Sequence, residues 1–269
     1  MASSLGRGCL AWPWVMLTLL AWLQCSVAQF CSFWNTGCID PLAQTAVRFD
    51  LSPLFFDPVT LYYAFDTNPT GKGEGPMTKT AYWLGYKNSN INDYGIDSNY
   101  TSEIALRVGN LTGTPSGTNN GCDGIWGPPC SQDIKVALQN TIFHLTSSDE
   151  YCLRPLEIAL SQFLTSPPSL PSCGAPVFDV VSIPVQDFAF ESTASSNVTL
   201  MTPGSGDHPW QVWYLDMTAK KQASQVAVGI ISRAPVYNSA PPQKPEEIQI
   251  ELVCLQAPQG SQSGSGDHD

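Results

Sequence analysis

Short segments in which apolar and polar residues alternate occupy most of the chain, and they restrict its fold more than any other feature. Near the C-terminus, Ile248, Ile250 and Leu252 are separated by Gln249 and Glu251. A period of two is typical of a β-strand with one buried face. The pattern predicts strands at residues 59–66, 80–86, 102–108, 177–183, 186–191, 198–201, 211–217, 225–232 and 247–255.

Two helices are predicted in the middle of the chain. Ser131 is a suitable N-cap for a helix that has Ile134 and Leu138 on one face. Pro155 suits the first turn of a second helix, which ends near Thr165. Because strands flank this pair instead of alternating with helices, we expect a mainly β fold. The expected architecture is an antiparallel, jelly-roll-like β-sandwich with a helical insertion at about residues 131–165.

The first 28 residues have the three parts of a signal peptide. Arg7 supplies a positive charge, residues 9–23 are apolar, and small residues precede a cleavage site after Ala28. The apolar run is short for a membrane span, and the chain end lacks the hydrophobic tail of a GPI signal. We therefore predict a secreted, extracellular protein without a membrane anchor. It would have a single globular domain at residues 29–256 and a disordered, acidic Gly/Ser tail at 257–269.

The chain is acidic, with 23 Asp and Glu residues against 12 Lys and Arg residues and a formal net charge of −11. Such a surface repels phosphate groups and offers no basic stripe to a nucleic acid. It is equally unfavourable for binding to anionic membranes. We therefore expect neither nucleic acids nor membranes among the partners.

Cysteine spacing predicts disulfide bonds, because secreted proteins fold in an oxidising compartment. Seven cysteines follow the predicted leader, so at least one has no partner within the chain. Their spacing favours local bridges from Cys122 to Cys130 and from Cys152 to Cys173. One thiol is then left over among Cys31, Cys38 and Cys254, and Cys254 could tie down the N-terminal segment.

Three sequons of the type Asn-X-Thr support the same compartment, because this motif is the acceptor for N-glycosylation in secreted proteins. A fourth, at Asn68, is blocked by the proline that follows it. The three acceptors are predicted to lie in surface loops or at strand ends. They are Asn99, Asn110 and Asn197.

No sequence motif indicates a catalytic, metal or cofactor site. The chain has no Gly-x-Ser-x-Gly sequence and no Cys-x-x-Cys or His-x-x-x-His pair. His144 lies in a predicted helix and His208 in a predicted turn, which are poor settings for a catalytic base. We therefore predict no catalytic residue, no metal ligand and no cofactor.

A glycoside hydrolase-like enzyme is the alternative, since its chemistry requires only two carboxylates about 5–10 Å apart. Asp187 and Glu191 share one strand face, as do Glu247 and Glu251. Four residues at about 3.3 Å each separate the members of each pair by roughly 13 Å, which is too far. A working pair would therefore have to come from different strands.

The tryptophans are the candidate ligand-binding residues, because flat rings suit the apolar faces of sugars. Trp210 directly precedes the predicted strand 211–217 and Trp213 lies within it; the alternation assigns them to opposite faces, so one of them could belong to an exposed platform. Trp126 lies in a glycine-rich loop, which cannot easily bury a large ring. Core packing is the competing interpretation of all three.

Two stretches of the chain look familiar. The first is residues 113–124, which lead into Cys130 and the first predicted helix; the second joins Trp210-Gln-Val-Trp-Tyr-Leu to residues 225–233. Together they resemble uncharacterised secreted proteins of filamentous fungi. The resemblance implies secretion and a fungal cell-surface setting, and it brings no known reaction.

These observations predict a non-catalytic, secreted glycoprotein that binds a ligand at the cell wall or another extracellular surface. The expected ligand is a cell-wall or host glycan, or an extracellular protein. The decisive structural question is whether two carboxylates converge in a cleft lined by aromatic residues.

Overall fold

The structure is a computed structural model that describes residues 30–31, 38–39, 43–51, 58–68, 77–87, 100–145, 154–174, 176–187, 189–190, 198–202, 210–214, 219–235 and 239–257. Within these ranges the protein is mainly β and its paired strands are antiparallel, as the alternation predicted. Its helices are α1 (Asp123–Trp126), α2 (Pro128–Leu145), α3 (Pro155–Thr165) and α4 (Ala219–Ala223). Its strands are β1 (Phe30–Cys31), β2 (Cys38–Ile39), β3 (Ala43–Phe49), β4 (Val59–Asn68), β5 (Met77–Lys87), β6 (Tyr100–Arg107), β7 (Val185–Asp187), β8 (Ala189–Phe190), β9 (Val198–Thr202), β10 (Trp210–Tyr214), β11 (Ala227–Pro235) and β12 (Gln249–Leu255).

The strands form a two-stranded, a six-stranded and a four-stranded sheet. β1 pairs with β2. The six-stranded sheet has the order β3-β4-β5-β9-β8, and β10 also pairs with β5. The four-stranded sheet has the order β12-β11-β6-β7. Within each strand, consecutive residues lie on opposite faces of the sheet.

One face of the four-stranded sheet shares a hydrophobic core with one face of the six-stranded sheet. Ile104, Leu106 and Ile231 of the four-stranded sheet belong to the same buried cluster as Leu61 and Tyr63 of β4. Gly229 of β11 lies at this contact. A Cβ atom added there would lie 2.6 Å from Leu61 Cδ2, so the absence of a side chain allows the two sheets to approach.

The opposite face of the four-stranded sheet packs against α2 and α3. Ala105, Val228 and Ile230 lie in one buried cluster with Leu138 of α2 and Leu160 of α3. The four-stranded sheet is therefore buried on both faces, and nearly every residue of β11 is inaccessible to solvent. The sequence of a strand that is buried on both faces is a continuous apolar run, without the alternation of apolar and polar residues.

The predicted helices and most of the predicted strands are confirmed, with boundaries shifted by a few residues. The helix predicted to start after Ser131 begins at Pro128 instead, because Pro128 and Pro129 fit a first turn that lacks N–H partners. Ser131 is buried within α2, and its hydroxyl donates to Gly127 O.

The strand predicted at residues 177–183 is wrong. Val177 and Phe178 are buried, but they lie in irregular backbone that covers the helix-side core, where Phe178 packs against Phe163 of α3 at 4.9 Å between ring centroids. Arg107, which is 1% exposed, holds this segment by donating from Nε to Val177 O at 2.7 Å and from Nη2 to Asp179 Oδ1 at 3.0 Å. The apolar pattern of residues 177–183 therefore arises from a buried loop and not from a strand.

Both predicted local disulfide pairings are wrong. Cys122 is bonded to Cys254, and Cys130 is bonded to Cys173. The reason is tertiary: Cys122, just before α1, lies against β12, and Cys130 of α2 lies against the segment after α3, and neither partner is close in sequence. Since Cys254 is bonded to Cys122, the predicted tie to the N-terminal segment is also wrong. Cys31 and Cys38 are Cα partners in the β1–β2 pair, and Cys152 lies outside the described residues.

Replacement of Gly229 by alanine tests the contact between the sheets. We expect Gly229→Ala to lower the free energy of unfolding by about 1–3 kcal/mol, because the new methyl group must displace Leu61. Chemical denaturation with intrinsic fluorescence measures the loss. Gly174→Ala is the matched control, since an added Cβ there has no atom within 4 Å. Equal unfolding midpoints for the two variants would contradict this packing.

Candidate functional site

The face of the six-stranded sheet that lies opposite the shared core carries an aromatic and polar set of residues. In β4, Leu61, Tyr63 and Phe65 belong to the core, so Tyr62 and Ala64 occupy the other face. Register then extends that face to the neighbouring strands. Tyr62 is opposite Trp83, Ala64 is opposite Ala81, and Ala81 is opposite Gln211 of β10. Trp213 occupies the same face, opposite Lys79.

We name this side of the sheet the outer face and define it by the register positions of Tyr62, Trp83, Trp213, Gln44, Gln211, Lys79 and Asp66. Its β3 side is open to solvent, since Ala46 and Arg48 at outer positions are exposed. Tyr62 is half-buried, whereas Ala64 and Ala81 are fully buried and pack with Tyr62. On this face, Tyr62 is therefore partly exposed beside two alanines that are themselves buried.

The three predicted tryptophan sites do not form one site. Trp210 is opposite Tyr82, whose side chain lies in the shared core, so Trp210 occupies the core-facing side of β10. Trp126 is half-buried in α1, packs against the helix-side core, and has its indole Nε1 out of contact with solvent. Trp213 alone of the three lies on the outer face.

Trp83 is the residue that reasoning from the sequence missed. The alternation in residues 80–86 already separates Trp83 from Tyr82 and Leu84, which face the core. The alternation does not predict which aromatic residue lies beside Trp83. Tyr62 and Trp83 become neighbours only through the register of β4 with β5. The three aromatic residues of this face come from three strands, so no single segment of the sequence indicates that they belong together.

Two carboxylates do converge from different strands, and they do so at Glu103 and Asp187. These residues are Cα partners in the β6–β7 pair, so their side chains leave the same face of the four-stranded sheet. Glu103 is 0% exposed. Its Oε2 accepts a hydrogen bond from Leu156 N at 2.7 Å, and its Oε1 accepts one from Glu157 N at 3.3 Å. Both oxygens are therefore occupied by the first turn of α3.

This carboxylate pair lacks the access that a hydrolase needs. Asp187, which is 58% exposed, pairs with Arg154, whose Nε lies 2.9 Å from Asp187 Oδ1. Arg154 also pairs with Glu157 at 2.6 Å and donates to Val185 O. Burial raises the pKa of Glu103 to about 7, which suits a general acid, but no substrate can reach the carboxyl group beneath α3. Glu103 instead caps the helix.

The glycine-rich segment at residues 109–127 covers the free edge of β12. Asn120, in a left-handed conformation with φ of 51°, donates from its amide to Leu252 O at 2.9 Å. Gln139 of α2 donates similarly to Ile248 O at 2.8 Å, and the Cys122–Cys254 bond fixes the segment to the strand. Side-chain donors thus occupy carbonyl groups that would otherwise attract another strand. This segment has a structural role.

Within the same segment, Asp123 organises the turn before α2. Burial alone would raise its pKa, but hydrogen bonds from Thr118, Asn119 and Ser131 and the charge of Lys135 hold the pKa of Asp123 below its usual value. Asp123 is thereby engaged with local donors. Among the described residues, no group of three or more His, Cys, Asp or Glu side chains is arranged to hold a metal ion.

Of the three predicted glycosylation sites, only Asn110 falls within the described residues. Asn110 is exposed, at φ of 59° in the turn after β6, and Thr112 of its sequon is also exposed. Its amide contacts Asp179 O at 3.5 Å, a length too great for a strong hydrogen bond. Asn110 and Thr112 therefore lie at the surface of the described fold. Asn99 and Asn197 lie outside the described residues.

Comparison of the chain with protein-family models, curated proteins and solved structures gives no match. No helix in the described part of the chain is both long enough and apolar enough to cross a bilayer. The geometry itself therefore carries the functional argument. It offers an outer face with aromatic residues at neighbouring register positions, a carboxylate pair whose Glu103 member is buried, and a segment that protects an edge strand.

The disulfide connectivity is directly testable. We expect non-reducing peptide mapping by mass spectrometry to recover Cys122 linked to Cys254 and Cys130 linked to Cys173. Because the first bond joins residues 132 positions apart, the double variant C122S/C254S should lose about 2–5 kcal/mol of stability. Recovery of a Cys122–Cys130 peptide from native protein would contradict this arrangement.

Proposed function

We propose that this protein is a secreted, N-glycosylated, non-catalytic binding protein that recognises a carbohydrate through its outer face. The observation that carries the proposal is the register that assigns Tyr62, Trp83 and Trp213 to one face of the six-stranded sheet, away from the core. The fungal cell wall is the proposed setting, on the resemblance to secreted fungal proteins.

The composition of the outer face suits a neutral sugar better than other ligands. Aromatic rings offer flat apolar surfaces, and the register positions of the same face include Gln44, Gln211 and Asp66, residue types that hydrogen-bond with hydroxyls. The net charge of −11 disfavours polyanionic ligands such as nucleic acids or sulfated glycans. An extracellular protein is the second candidate ligand, since aromatic side chains are also common at protein interfaces.

The spacing on this face favours an extended oligosaccharide over a single sugar. Trp213 is opposite Lys79, and Trp83 lies four residues further along β5. At about 3.3 Å per residue, the two tryptophans are separated by roughly 13 Å along the strand. This separation exceeds one sugar ring, so a chain of several rings is needed to contact both.

The proposed scaffold is a β-sandwich of the six- and four-stranded sheets, with jelly-roll-like connections. Support comes from the buried cluster that joins the two sheets and from the close approach of Gly229 to Leu61. A sheet anchored in this way keeps its side-chain spacing when a ligand binds, which lowers the entropic cost of binding. The hydrolase alternative has less support, because Glu103 is closed to substrate.

Expression of the full chain in a eukaryotic secretory host tests the compartment. We expect protein in the medium whose N-terminus is Gln29 and whose mass falls when N-glycans are removed enzymatically. Thr112→Ala should remove one glycan without changing the unfolding midpoint, because Thr112 is exposed and the left-handed Asn110 is kept. Retention of the leader on intracellular, unglycosylated protein would overturn secretion.

A glycan array probed with the secreted, deglycosylated protein tests the binding function. We expect binding to oligosaccharides with an affinity that rises with chain length, and a loss of at least about tenfold, or about 1.4 kcal/mol, in Trp83→Ala and Trp213→Ala. Trp126→Phe is the matched control, since Trp126 lies on the helix-side core. Unfolding midpoints establish that each variant is folded.

Two outcomes would count against this function. Binding lost equally in Trp126→Phe would move the site away from the outer face. Absence of binding to every wall and host glycan would rule out the carbohydrate ligand and favour a protein partner, which crosslinking at the cell surface would then identify.

A further inference from the structure

The segment that follows α3 is rich in serine and proline. Residues 166–173 have the sequence Ser-Pro-Pro-Ser-Leu-Pro-Ser-Cys. Its three serines, Ser166, Ser169 and Ser172, are exposed, and none of their hydroxyl groups forms a hydrogen bond with a described residue. Serine or threonine mixed with proline is the composition of segments that carry O-linked sugars.

Proline keeps this segment extended. Pro167, Pro168 and Pro171 each have φ fixed near about −65° and lack an N–H group, and a residue that precedes proline is restricted to extended backbone. Ser166, which precedes Pro167, has φ of −142° and ψ of 81°, outside the helical region. In the described structure, residues 167–169 form no backbone–backbone hydrogen bond. Their main chain is therefore extended and unoccupied.

The same segment is held on the surface at both ends. At its start, Ser166 N donates to Gln162 O of α3 at 2.7 Å. At its end, Cys173 is bonded to Cys130 of α2. Between these two points, Leu170 packs against the helix-side core. These anchors fix the position of the segment without burying its serine hydroxyl groups.

A second exposed segment that contains threonine, serine and proline, residues 112–118, is folded back on itself. Ser116 N donates to Gly121 O at 2.9 Å, and Gly124 N donates to Ser116 O at 2.8 Å. Because its main chain is already paired, an enzyme cannot take up this segment in an extended form. Exposure and composition alone therefore do not distinguish the two segments, whereas the backbone does.

We propose that Ser166 and Ser169 are sites of O-glycosylation. Enzymes that act on peptide segments recognise them in an extended form, through free main-chain groups and accessible side chains, and both serines meet this requirement. Ser172 is not included, because it lies in the following turn and its N–H group donates to Asp133 Oδ2 at 3.0 Å.

The reaction needs a serine hydroxyl group and an activated sugar, a glycosyl phosphate, as the second substrate of a host transferase. A bond forms between the serine oxygen and the anomeric carbon of the sugar. The bond from that carbon to the phosphate oxygen breaks, and the serine proton is released with the departing phosphate. The hydroxyl groups of Ser166 and Ser169 have no described hydrogen-bond partner that would have to be given up first.

This modification rests on the proposed secretion of the protein, because the sugar would be added on the secretory route. It is compatible with the proposed binding function. The modified segment packs against the helix-side core, whereas the outer face belongs to the six-stranded sheet, on the side away from the shared core. O-linked sugars at Ser166 and Ser169 therefore leave the outer face open to a ligand.

The test is mass spectrometry of the full chain released by a fungal secretory host, after enzymatic removal of N-glycans. We expect a remaining mass increase of one or more hexose units, which electron-transfer fragmentation of the glycopeptide assigns to Ser166 and Ser169. The double variant Ser166→Ala with Ser169→Ala should lose this increase completely. Its unfolding midpoint should equal that of the wild type, because both side chains are exposed and unpaired.

Thr165→Ala is the matched control. Thr165 is exposed and directly precedes the segment, but it belongs to α3, and its hydroxyl group donates to Gln162 O at 2.9 Å. This variant should carry the same O-linked sugar as the wild type. A sugar that is lost in Thr165→Ala and retained in the double serine variant would overturn the assignment.

The remaining outcomes separate this proposal from the proposed function. Released protein that has an N-glycan on Asn110 but no sugar on Ser166 or Ser169 would overturn O-glycosylation and leave secretion intact. A phosphate group in place of a sugar on Ser166 would also overturn it. Intracellular protein without any glycan would overturn both O-glycosylation and the proposed secretion.

Discussion

The burial of the four-stranded sheet on both faces is the constraint on which the rest of the structure depends. One face packs on the six-stranded sheet and the other on α2 and α3, so a polar atom in the interior of this sheet must find its partner inside the protein. Arg107 and Glu103 follow from this requirement. Both are nearly or fully buried, and each uses its hydrogen bonds to attach an element that has no strand pairing of its own. Arg107 holds the irregular segment after α3, and Glu103 holds the first turn of α3.

A buried sheet must also protect its edges, and the glycine-rich segment serves that purpose at β12. Left-handed Asn120 and the Cys122–Cys254 bond press the segment against the strand, while Gln139 occupies a carbonyl group further along. A glycine-rich, asparagine-containing loop therefore has a sufficient structural explanation here. The proposed ligand binding is therefore assigned to the six-stranded sheet, whose outer face is not involved in the contact between the sheets.

The strands and the two long helices could be predicted because their signals are local. Ile248, Ile250 and Leu252 alternate within one strand, and Pro155 occupies the helical position that tolerates the loss of an N–H group. Residues 177–183 misled the prediction because an apolar alternation is consistent with any buried extended backbone, including a loop held by Arg107. The disulfide pairing could not be read from spacing, because proximity along the chain says nothing about which element packs on which. Trp213 was recognised as a candidate from its strand, whereas Trp83 acquires its aromatic neighbour Tyr62 only through the pairing of β4 with β5.

The sequence by itself determined the predominance of antiparallel β-structure and the positions of α2 and α3, because periodicity and proline placement act over a few residues. It also carries the leader-like N-terminus, the sequons and the acidity on which the proposed compartment rests. Only the tertiary structure decided that Glu103 caps α3, that Cys122 pairs with Cys254, and that Trp213, not Trp210, has its register position on the face away from the shared core. Each of these depends on strand register or on the packing of distant elements. Those relationships are set by the summed burial of the whole core, and no local pattern encodes them.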